Sequence, residues 1–249
     1  MTKKLIAFDL DGTLAPSKAP LPDRMGELLG QLLNKFEVCV ISGGKYELFQ
    51  RQLLGHLSAS KEQLEKLHLM PTSGTRYYSF KDGRWQQIYA EDIPDNQKAK
   101  IIDALNRGLD KSGWRPKKVW GEIIEDRDSQ ITLSVLGQEA PLEAKEAWDS
   151  DGSKKLKLRE IVAPLIPEFE VRAAGTTSID VTKPGIDKAY GMKKLMERTG
   201  YKKEEILFLG DKLVEGGNDY PVKVMGIDSV EVSHWEDTER AIKEILLKT

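Results

Sequence analysis

Short apolar runs alternate with helical patterns along the first part of the chain. Residues 4–8, 37–41 and 67–70 are apolar and have the length of buried strands. Between the first two runs, apolar residues recur at the spacing of a helix with one buried face: Met25, Leu28, Leu29, Leu32, Leu33 and Phe36. This alternation favours an α/β fold in which a parallel sheet carries helices on both faces.

The middle of the chain has a different pattern. Residues 81–84 predict a hairpin turn. Later segments carry strand signals, and the first of them alternates polar and apolar residues as a half-solvated strand does: 130–136, 169–172 and 178–181. From residue 186 the strand–helix alternation returns. We therefore expect a separate α+β domain at 84–184, inserted into a discontinuous core made of 1–83 and 185–249.

Composition narrows the class of protein. The chain has 249 residues, of which 39% are hydrophobic and 31% charged, as is usual for a soluble globular protein. A formal net charge of −2 argues against a nucleic-acid partner. The N-terminus enters the first strand at once, and no apolar run has the length of a membrane span. These features predict a cytoplasmic protein with neither a signal peptide nor a membrane partner.

Carboxylates follow two of the predicted strands. Asp9 and Asp11 come directly after the run at 4–8 and precede Gly12, whose turn could bring both groups to one site. Asp211 follows another apolar strand at 206–210, and Asp219 lies eight residues further on. Open α/β sheets bind ligands at the carboxyl ends of their strands. The pattern therefore predicts a magnesium-dependent site for phosphoryl transfer.

The chemistry of phosphoryl transfer assigns a role to each residue type. Asp9 is the candidate nucleophile and Asp11 the candidate acid/base. Asp9, Asp211 and the backbone carbonyl of Asp11 offer Mg²⁺ the hard oxygen ligands that it prefers. Ser42, at the end of the second strand, and Lys188, before a helix, could bind the phosphoryl oxygens.

Each of these residues also has a simpler interpretation. An isolated Asp-X-Asp pair is often a turn, a lone serine is more often a helix cap, and a lone lysine is more often solvated. A calcium-binding loop starting at Asp9 is excluded, because Leu14 stands at its sixth position and Pro20 at its twelfth. The chain also lacks the glycine spacing of nucleotide-binding loops and the histidine–cysteine spacing of zinc sites. The joint occurrence of the residues at predicted strand and helix ends favours function.

In order, Asp9-Leu10-Asp11-Gly12-Thr13, Ser42, Lys188 and the segment 210–219 resemble the four motifs of the haloacid dehalogenase superfamily. The Asp-X-Asp-Gly-Thr form is similar to that of its phosphotransferases. The resemblance implies a Rossmann-like core with a parallel sheet, and a C2B-type cap as the inserted domain. The fourth motif and cap segments around 121–137 and 178–181 are similar to those of eukaryotic-type α-phosphomannomutases.

The resemblance extends the set of candidate site residues. It implies that Arg127 in the cap binds the distal phosphate of a sugar, and that Ser178 and Asp180 contact the sugar or that phosphate. It adds other candidates by position: Gly43, Gly44 and Lys18 for substrate, and Asn218 and Asp219 for the metal. For Arg127, a surface ion pair is the simpler alternative. The resemblance also implies, by analogy alone, a homodimer formed through the cap.

The chain departs from the mutases at positions where they carry arginines. Gln138 and Lys145 stand at two cap positions and Lys18 at one core position, and Ser42 follows the hydrolase form of the second motif. Arginine binds phosphate through a planar guanidinium that can donate two parallel hydrogen bonds, which lysine and glutamine lack. We therefore expect weaker binding of a second phosphate. The leading expectation is therefore a magnesium-dependent phosphatase of small phosphorylated sugars, acting through an aspartyl-phosphate at Asp9.

Two rival interpretations stay open. A phosphohexose mutase would share the first half-reaction and pass the phosphoryl group to a second sugar hydroxyl instead of water. A metal-binding regulatory or scaffold protein would keep the fold without turnover, although the full set of motif residues argues against it. The sequence does not identify the sugar, the carbon that carries the phosphate, or the oligomeric state.

Overall fold

A computed structural model describes residues 2–248. The strands in this range are β1 (Leu5–Phe8), β2 (Glu37–Ile41), β3 (Leu67–Met70), β4 (Arg76–Lys81), β5 (Arg84–Ala90), β6 (Ile124–Asp126), β7 (Gln130–Ser134), β8 (Glu170–Ala174), β9 (Ser178–Thr182), β10 (Ile206–Gly210) and β11 (Asp228–Glu231). The α-helices are α1 (Asp23–Lys35), α2 (Tyr46–Gln52), α3 (Lys61–Leu64), α4 (Asp95–Ser112), α5 (Leu142–Trp148), α6 (Ser153–Val162), α7 (Lys188–Thr199), α8 (Tyr220–Val224) and α9 (Trp235–Leu247).

The chain divides into two compact units. The first contains the residues up to Ala90 and those from Ile186 onward, and the second is Glu91–Gly185. The first unit holds a seven-stranded sheet in the order β11-β10-β1-β2-β3-β4-β5. The five strands from β11 to β3 are parallel, whereas β4 and β5 are antiparallel. The predicted α/β class with a largely parallel core sheet is confirmed.

Helices cover both faces of the core sheet. Alternate residues of β1 point to opposite faces, as the period of a strand requires. Ile6 and Phe8 pack in a cluster with residues of α1 and α9, whereas Leu5 and Ala7 pack with residues of α7 and α8. Because β1 is buried on both faces, its apolar run is continuous, and this is why the sequence marks it so clearly.

The predicted boundaries between the domains need two corrections, and the smaller is that Gly185 belongs to the second unit instead of the core. Residues 84–90 were expected in the inserted domain, but they form β5, which pairs with β4 at the edge of the core sheet. Asp82 and Gly83, both with positive φ, close the hairpin between these strands. A turn signal shows that two strands pair, but it does not show which sheet they extend. The structure therefore places the boundary after Ala90.

The second unit is an α+β domain in its own right. Its four-stranded antiparallel sheet has the order β6-β7-β9-β8. One face packs against α4 and α6 in an apolar cluster that contains Ile131, Leu133, Ile179 and Val181. The opposite face carries the residues between these positions, and they are polar. Among the described residues of both units, no helix has the length and apolar character needed to cross a membrane.

Candidate active site

Lys188 joins two buried carboxylates at the carboxyl end of the core sheet. Its Nζ donates hydrogen bonds to Oδ1 of Asp9 and to Oδ1 of Asp219. All three side chains are at most 5% exposed. Asp9 directly follows β1, Asp219 precedes α8, and Lys188 begins α7. The structure thus brings together residues that the sequence separates by most of its length.

The position of Lys188 is not explained by helix stability. Asp187 caps α7 by accepting a hydrogen bond from the Tyr190 N–H at 2.9 Å, so the helix begins at Lys188. A cation in the first helical turn opposes the helix dipole, which favours negative charge there. The contacts with Asp9 and Asp219 supply the compensating attraction, because they place two carboxylates against one ammonium group.

Three carboxylates meet at this edge of the sheet. Asp9, Asp211 and Asp219 each offer an oxygen, and these oxygens lie within 4.8 Å of one another. Lys188 contacts two of them, and the exposed Lys212 Nζ lies 3.3 Å from Asp211 Oδ2. Two lysines leave an excess of negative charge on three carboxylates. Because all the donors are hard oxygens, the group suits Mg²⁺ as its ligand set.

Two glycines give the carboxylates room. A Cβ on Gly12 would lie 2.7 Å from Oδ2 of Asp211, and a Cβ on Gly210 would lie 2.5 Å from Oδ2 of Asp219. Gly12 also has φ +89°, a conformation that side chains disfavour. Hence glycine is required at both positions for the carboxylates to approach the backbone.

Burial and charge act in opposite directions on the ionisation of this group. Burial raises the pKa of the Asp9 carboxyl, the charge of Lys188 lowers it, and the charge of Asp219 raises it again. Burial alone would lower the pKa of Lys188, but the charges of Asp9 and Asp219 raise it above its usual value. Lys188 is therefore held as a cation between the two carboxylates.

Asp11 lies in a separate hydrogen-bond arrangement. Its Oδ1 accepts a hydrogen bond from the Lys18 backbone N–H at 2.6 Å and one from Gln52 Nε2 at 3.3 Å. Gln52 is 1% exposed and also donates to the Ala19 carbonyl at 2.9 Å. The side chain of Asp11 is not one of the clustered carboxylates, which leaves it available for proton transfer. Metal binding by its backbone carbonyl stays a prediction, as does a phosphate contact by the Lys18 side chain.

Gln52 is a site residue that the sequence reasoning missed. It lies at the last position of α2, next to the buried Leu53. A buried amide in an apolar helix face needs polar partners, and this would have been a weak signal for a site. Nothing near Gln52 in the sequence indicates that its partner is Asp11.

The loop after β2 carries Ser42, Gly43 and Gly44. Ser42 is 4% exposed, and its Oγ accepts a hydrogen bond from the Gly44 N–H at 3.1 Å. The hydroxyl can still donate its own proton. The helix that follows has Lys45 at its N-cap, with no side-chain capping bond, so Ser42 does not cap α2. Phosphate binding by Ser42 and by the two glycines remains a prediction.

The fourth motif forms a turn between β10 and α8. Asp219 Oδ2 accepts a hydrogen bond from the Lys212 N–H at 3.0 Å, which fixes the carboxylate across the turn. Asn218 is exposed on the same turn. Its role as a metal ligand stays a prediction.

The second unit groups its predicted residues on the polar face of its sheet. Asp180 faces Thr132 across β9 and β7, and its Oδ1 accepts a hydrogen bond from Thr132 Oγ1 at 2.7 Å. Ser178 lies two residues before Asp180 on β9 and so on the same face. Nε and Nη2 of Arg127 donate to Oε2 of Glu125, each at 2.8 Å. Burial raises the pKa of the Asp180 carboxyl, whereas the charge of Arg127 lowers it.

The two remaining cap positions lie outside this sheet. Gln138 is in the turn after β7, where its backbone N–H donates to the Glu122 carbonyl at 3.0 Å, and Lys145 is on α5. The predicted residues therefore form two groups, one in each unit.

A family model described as eukaryotic phosphomannomutase matches residues 25–248. The chain belongs to this family. It is 27% identical over 259 aligned residues to a phosphomannomutase of Encephalitozoon cuniculi, covering 99% of this chain and 94% of the relative. It is 28% identical to human phosphomannomutase 1, covering 88% and 82%. The predicted resemblance to the haloacid dehalogenase superfamily and its mutase-like branch is confirmed.

Solved structures show the same fold at low identity. An IMP-nucleotidase of Plasmodium falciparum superposes with a TM-score of 0.73 at 16% identity, covering 99% of this chain and 68% of that one. A trehalose-6-phosphate phosphatase of Aspergillus fumigatus gives 0.57 at 19% identity, covering 98% and 93%. These similarities support a Rossmann-like core plus cap.

Proposed function

We propose that this chain is a magnesium-dependent phosphohexose mutase that moves a phosphoryl group between two positions of a hexose through Asp9. The observation that carries the proposal is the buried contact of Lys188 with Asp9 beside the carboxylate group. Family membership over most of the chain favours the mutase over the hydrolase that the sequence departures had suggested.

The residues of the core supply the transfer chemistry. An oxygen of Asp9 attacks one phosphorus of a hexose bisphosphate, and the bond between that phosphorus and the sugar oxygen breaks, which leaves a hexose monophosphate and the aspartyl-phosphate. Asp11 gives its proton to the leaving sugar oxygen. It then takes a proton from the hydroxyl of the acceptor as that oxygen attacks the aspartyl-phosphate and releases Asp9. Gln52 and the Lys18 N–H hold Asp11 during both steps.

Charge on the phosphoryl oxygens must be offset in both steps. Lys188 is a fixed cation beside Asp9 and does not need to move to meet that charge. Asp9, Asp211 and Asp219 would hold Mg²⁺, which would supply further positive charge to the phosphoryl group.

A mutase also needs a place for the phosphate that is not being transferred. The polar face of the cap sheet offers Arg127, Ser178 and Asp180 for this purpose. Dimerisation through the cap and a cytoplasmic location remain expectations beside this proposal.

The first test follows both products of one reaction. Purified protein is incubated with Mg²⁺ and mannose 1-phosphate, with and without a trace of hexose 1,6-bisphosphate. We expect bisphosphate-dependent formation of mannose 6-phosphate with little inorganic phosphate. Replacing the nucleophile, Asp9→Asn, should lower the rate by ~10³-fold or more. The exposed Asp82→Asn in the β4–β5 turn is the matched control and should keep the rate.

The hydrolase is the second candidate, favoured by Gln138 and Lys145 where the mutases carry arginines. Stoichiometric phosphate without isomer would establish this candidate and overturn the mutase. Full activity of the Asp9→Asn variant would contradict both, since both act through that carboxylate.

A further inference from the structure

The polar face of the cap sheet carries a second arginine that the sequence did not single out. Arg172 on β8 stands directly opposite Asp180 on β9, in the hydrogen-bonded register of the sheet. Asp180 is in turn opposite Thr132 on β7, and Thr132 is opposite Glu125 on β6. Residues that face one another across strands share a face. Arg172 therefore lies on the face that carries Asp180 and Ser178.

The two edge strands of this sheet carry the same arrangement of charges. Glu125 on β6 binds Arg127, which directly follows that strand, with Nε and Nη2 each 2.8 Å from one carboxylate oxygen. On β8, Glu170 binds Arg172 two residues later, at 2.8 Å from Nε and 2.7 Å from Nη2. Each glutamate oxygen accepts two of the five N–H donors of a guanidinium and so fixes its plane.

Both arginines act on the same carboxyl group. Burial raises the pKa of Asp180, while the charges of Arg127 and Arg172 both lower it. Arg172 on one edge strand and Arg127 directly after the other edge strand thus place two cations around one carboxyl group. The central strands contribute hydrogen-bonding groups to the same face, namely Thr132 and Ser178.

Arg172 occupies a different part of the cap from the departures at Gln138 and Lys145. Those positions lie in the turn after β7 and on α5, whereas Arg172 lies within the sheet itself. A planar guanidinium matches a phosphate group in a way that a lysine does not. The chain therefore keeps two arginines on one cap face although it lacks arginine at both expected positions.

We propose that Arg172, together with Arg127, binds the phosphate of a hexose phosphate that is not being transferred. The inference rests on the proposed mutase function, and it assigns specificity for a second phosphate to a residue outside the four sequence motifs of the superfamily. The alternative is an ion pair of purely structural value between Arg172 and Glu170, whose side chains are 36% and 33% exposed.

Equilibrium binding separates these alternatives. The Asp9→Asn chain, which cannot form the aspartyl-phosphate, is titrated with glucose 1,6-bisphosphate and, separately, with mannose 1-phosphate in the presence of Mg²⁺. Adding Arg172→Met should weaken bisphosphate binding by about 10- to 100-fold, the value of charge-assisted hydrogen bonds to phosphate. The ratio of the affinity for glucose 1,6-bisphosphate to the affinity for mannose 1-phosphate should therefore fall. The bisphosphate affinity of Arg172→Lys should lie between those of the other two chains, because lysine keeps the charge and loses the planar guanidinium.

A matched control removes another arginine–carboxylate pair from the same unit. Arg115 binds Asp110 at 2.6 Å after the end of α4, and Arg115→Met should leave bisphosphate binding unchanged. Equal affinities of the Arg172→Met and Arg115→Met chains would overturn the inference, as would the absence of bisphosphate binding to the Asp9→Asn chain. Circular dichroism of each variant shows whether the fold is kept, and Arg172→Lys provides the comparison if Arg172→Met is unfolded.

A separate measurement isolates the proposed function. Acetyl phosphate has no second phosphate, so phosphorylation of Asp9 by it, followed by mass spectrometry of the unsubstituted chain, tests the nucleophile alone. Absence of that phosphorylation together with Arg172-dependent bisphosphate binding would contradict the proposed function and keep the inference. If Asp9 is phosphorylated but bisphosphate binding does not depend on Arg172, the proposed function is kept and the inference is contradicted.

Discussion

Each end of the core sheet carries a polar cluster, and the two clusters differ in the number of carboxylates that they bring together. At the carboxyl end, Asp9, Asp211 and Asp219 share the cation Lys188. Near the amino end, Glu37 Oε1 accepts a hydrogen bond from the Tyr201 hydroxyl at 2.9 Å, and Oε2 accepts one from His68 Nε2 at 2.8 Å.

In the cluster near the amino end, the side chains of Glu37, His68, Tyr77 and Tyr201 all have hydrogen-bond partners. His68 Nδ1 lies 2.7 Å from the Tyr77 hydroxyl, so a neutral imidazole can accept there while its other nitrogen donates to Glu37. Burial raises the pKa values of Tyr77 and Tyr201 to about 12, so both keep their protons. One carboxylate thus has a donor on each oxygen, as a structural cluster requires.

The carboxyl-end cluster has more negative charge than its lysines neutralise. A structure gains no stability from gathering carboxylates in excess of their partners, since each buried charge is costly unless it is paired. Under the proposed function, the comparison separates a catalytic cluster, in which three carboxylates lie close together, from a structural one, in which a single carboxylate has a donor on each oxygen. Substitutions at the carboxyl end should therefore lower the rate of phosphoryl transfer, whereas substitutions at the amino end should lower stability and leave the rate unchanged.

Lys188→Met should have the largest effect, because it removes the shared cation from the carboxyl end. We expect transfer to fall by ~10²–10³-fold, the effect of losing one preorganised group that meets the developing charge. The free energy of unfolding should also fall by about 3–5 kcal/mol, since a buried ion pair that loses one partner leaves uncompensated charge. Transfer assays and denaturant titrations measure the two losses.

The exposed Lys212→Met is the matched control for stability. Its Nζ lies 3.3 Å from Asp211 with the lysine side chain 56% exposed, so its loss should cost less than ~1 kcal/mol. An equal loss of stability in the two variants would show that the burial of Lys188 does not decide its contribution.

Gln52→Leu should have an intermediate effect, which lowers the rate of phosphoryl transfer. It removes one of the two donors to Asp11 while leaving the Lys18 N–H in place. We expect kcat for a sugar phosphate to fall by about 10-fold, part of the contribution of a positioned general acid, with little change in KM. Phosphorylation of Asp9 by acetyl phosphate should change less, because its leaving group needs no proton.

Gln50→Leu on the exposed face of α2 provides the comparison, and it should leave both reactions unchanged. If Gln52→Leu slows the sugar phosphate and acetyl phosphate equally, the glutamine supports the fold of the loop and does not position Asp11.

The strand-end carboxylates of the carboxyl-end cluster, Asp9 and Asp211, could be predicted from the sequence because their signals are local. Lys188 and Asp219 do not follow strands, and they join the cluster from other elements. β1, β2 and β3 are short apolar runs, and the structure gives their bounds within a residue of the prediction. Asp9, Ser42 and Asp211 each follow such a run directly. Since the carboxyl ends of neighbouring parallel strands lie at one edge of a sheet, locating the strands was enough to bring the residues together.

The parts that were missed depend on pairing between distant segments. Gln52 reaches Asp11 from another element, and Arg172 reaches Asp180 through the register of β8 and β9. The assignment of β5 to the core sheet depends on its pairing with β4, which extends the sheet from β3. Hydrophobic periodicity shows which face of an element is buried, but it does not show which residue lies opposite on the neighbouring strand.

Glu37→Gln should have the smallest effect, and it tests the amino-end cluster through pH. The hydrogen bond from His68 lowers the pKa of Glu37 below its usual value of 4.5. The folded chain therefore favours the carboxylate more than the unfolded chain does. The resulting stability is complete above about pH 4.5 and is lost as the pH falls through the lower pKa of the folded state. At pH 7 the variant should melt roughly 2–5 °C below the unsubstituted chain.

The gap in melting temperature between the two chains should close as the pH falls through the lowered pKa of Glu37, because the unsubstituted Glu37 then becomes protonated as well. Thermal melts between pH 3 and pH 7 measure this, with the exposed Glu27→Gln on α1 as the control. Phosphoryl transfer at pH 7 should be unchanged, since Glu37 begins β2 whereas Ser42 follows its end. A gap that stays constant over the whole range would mean that the carboxylate charge adds nothing to this cluster. A loss of transfer would mean that the two ends of the sheet are coupled and that the amino-end cluster is not purely structural.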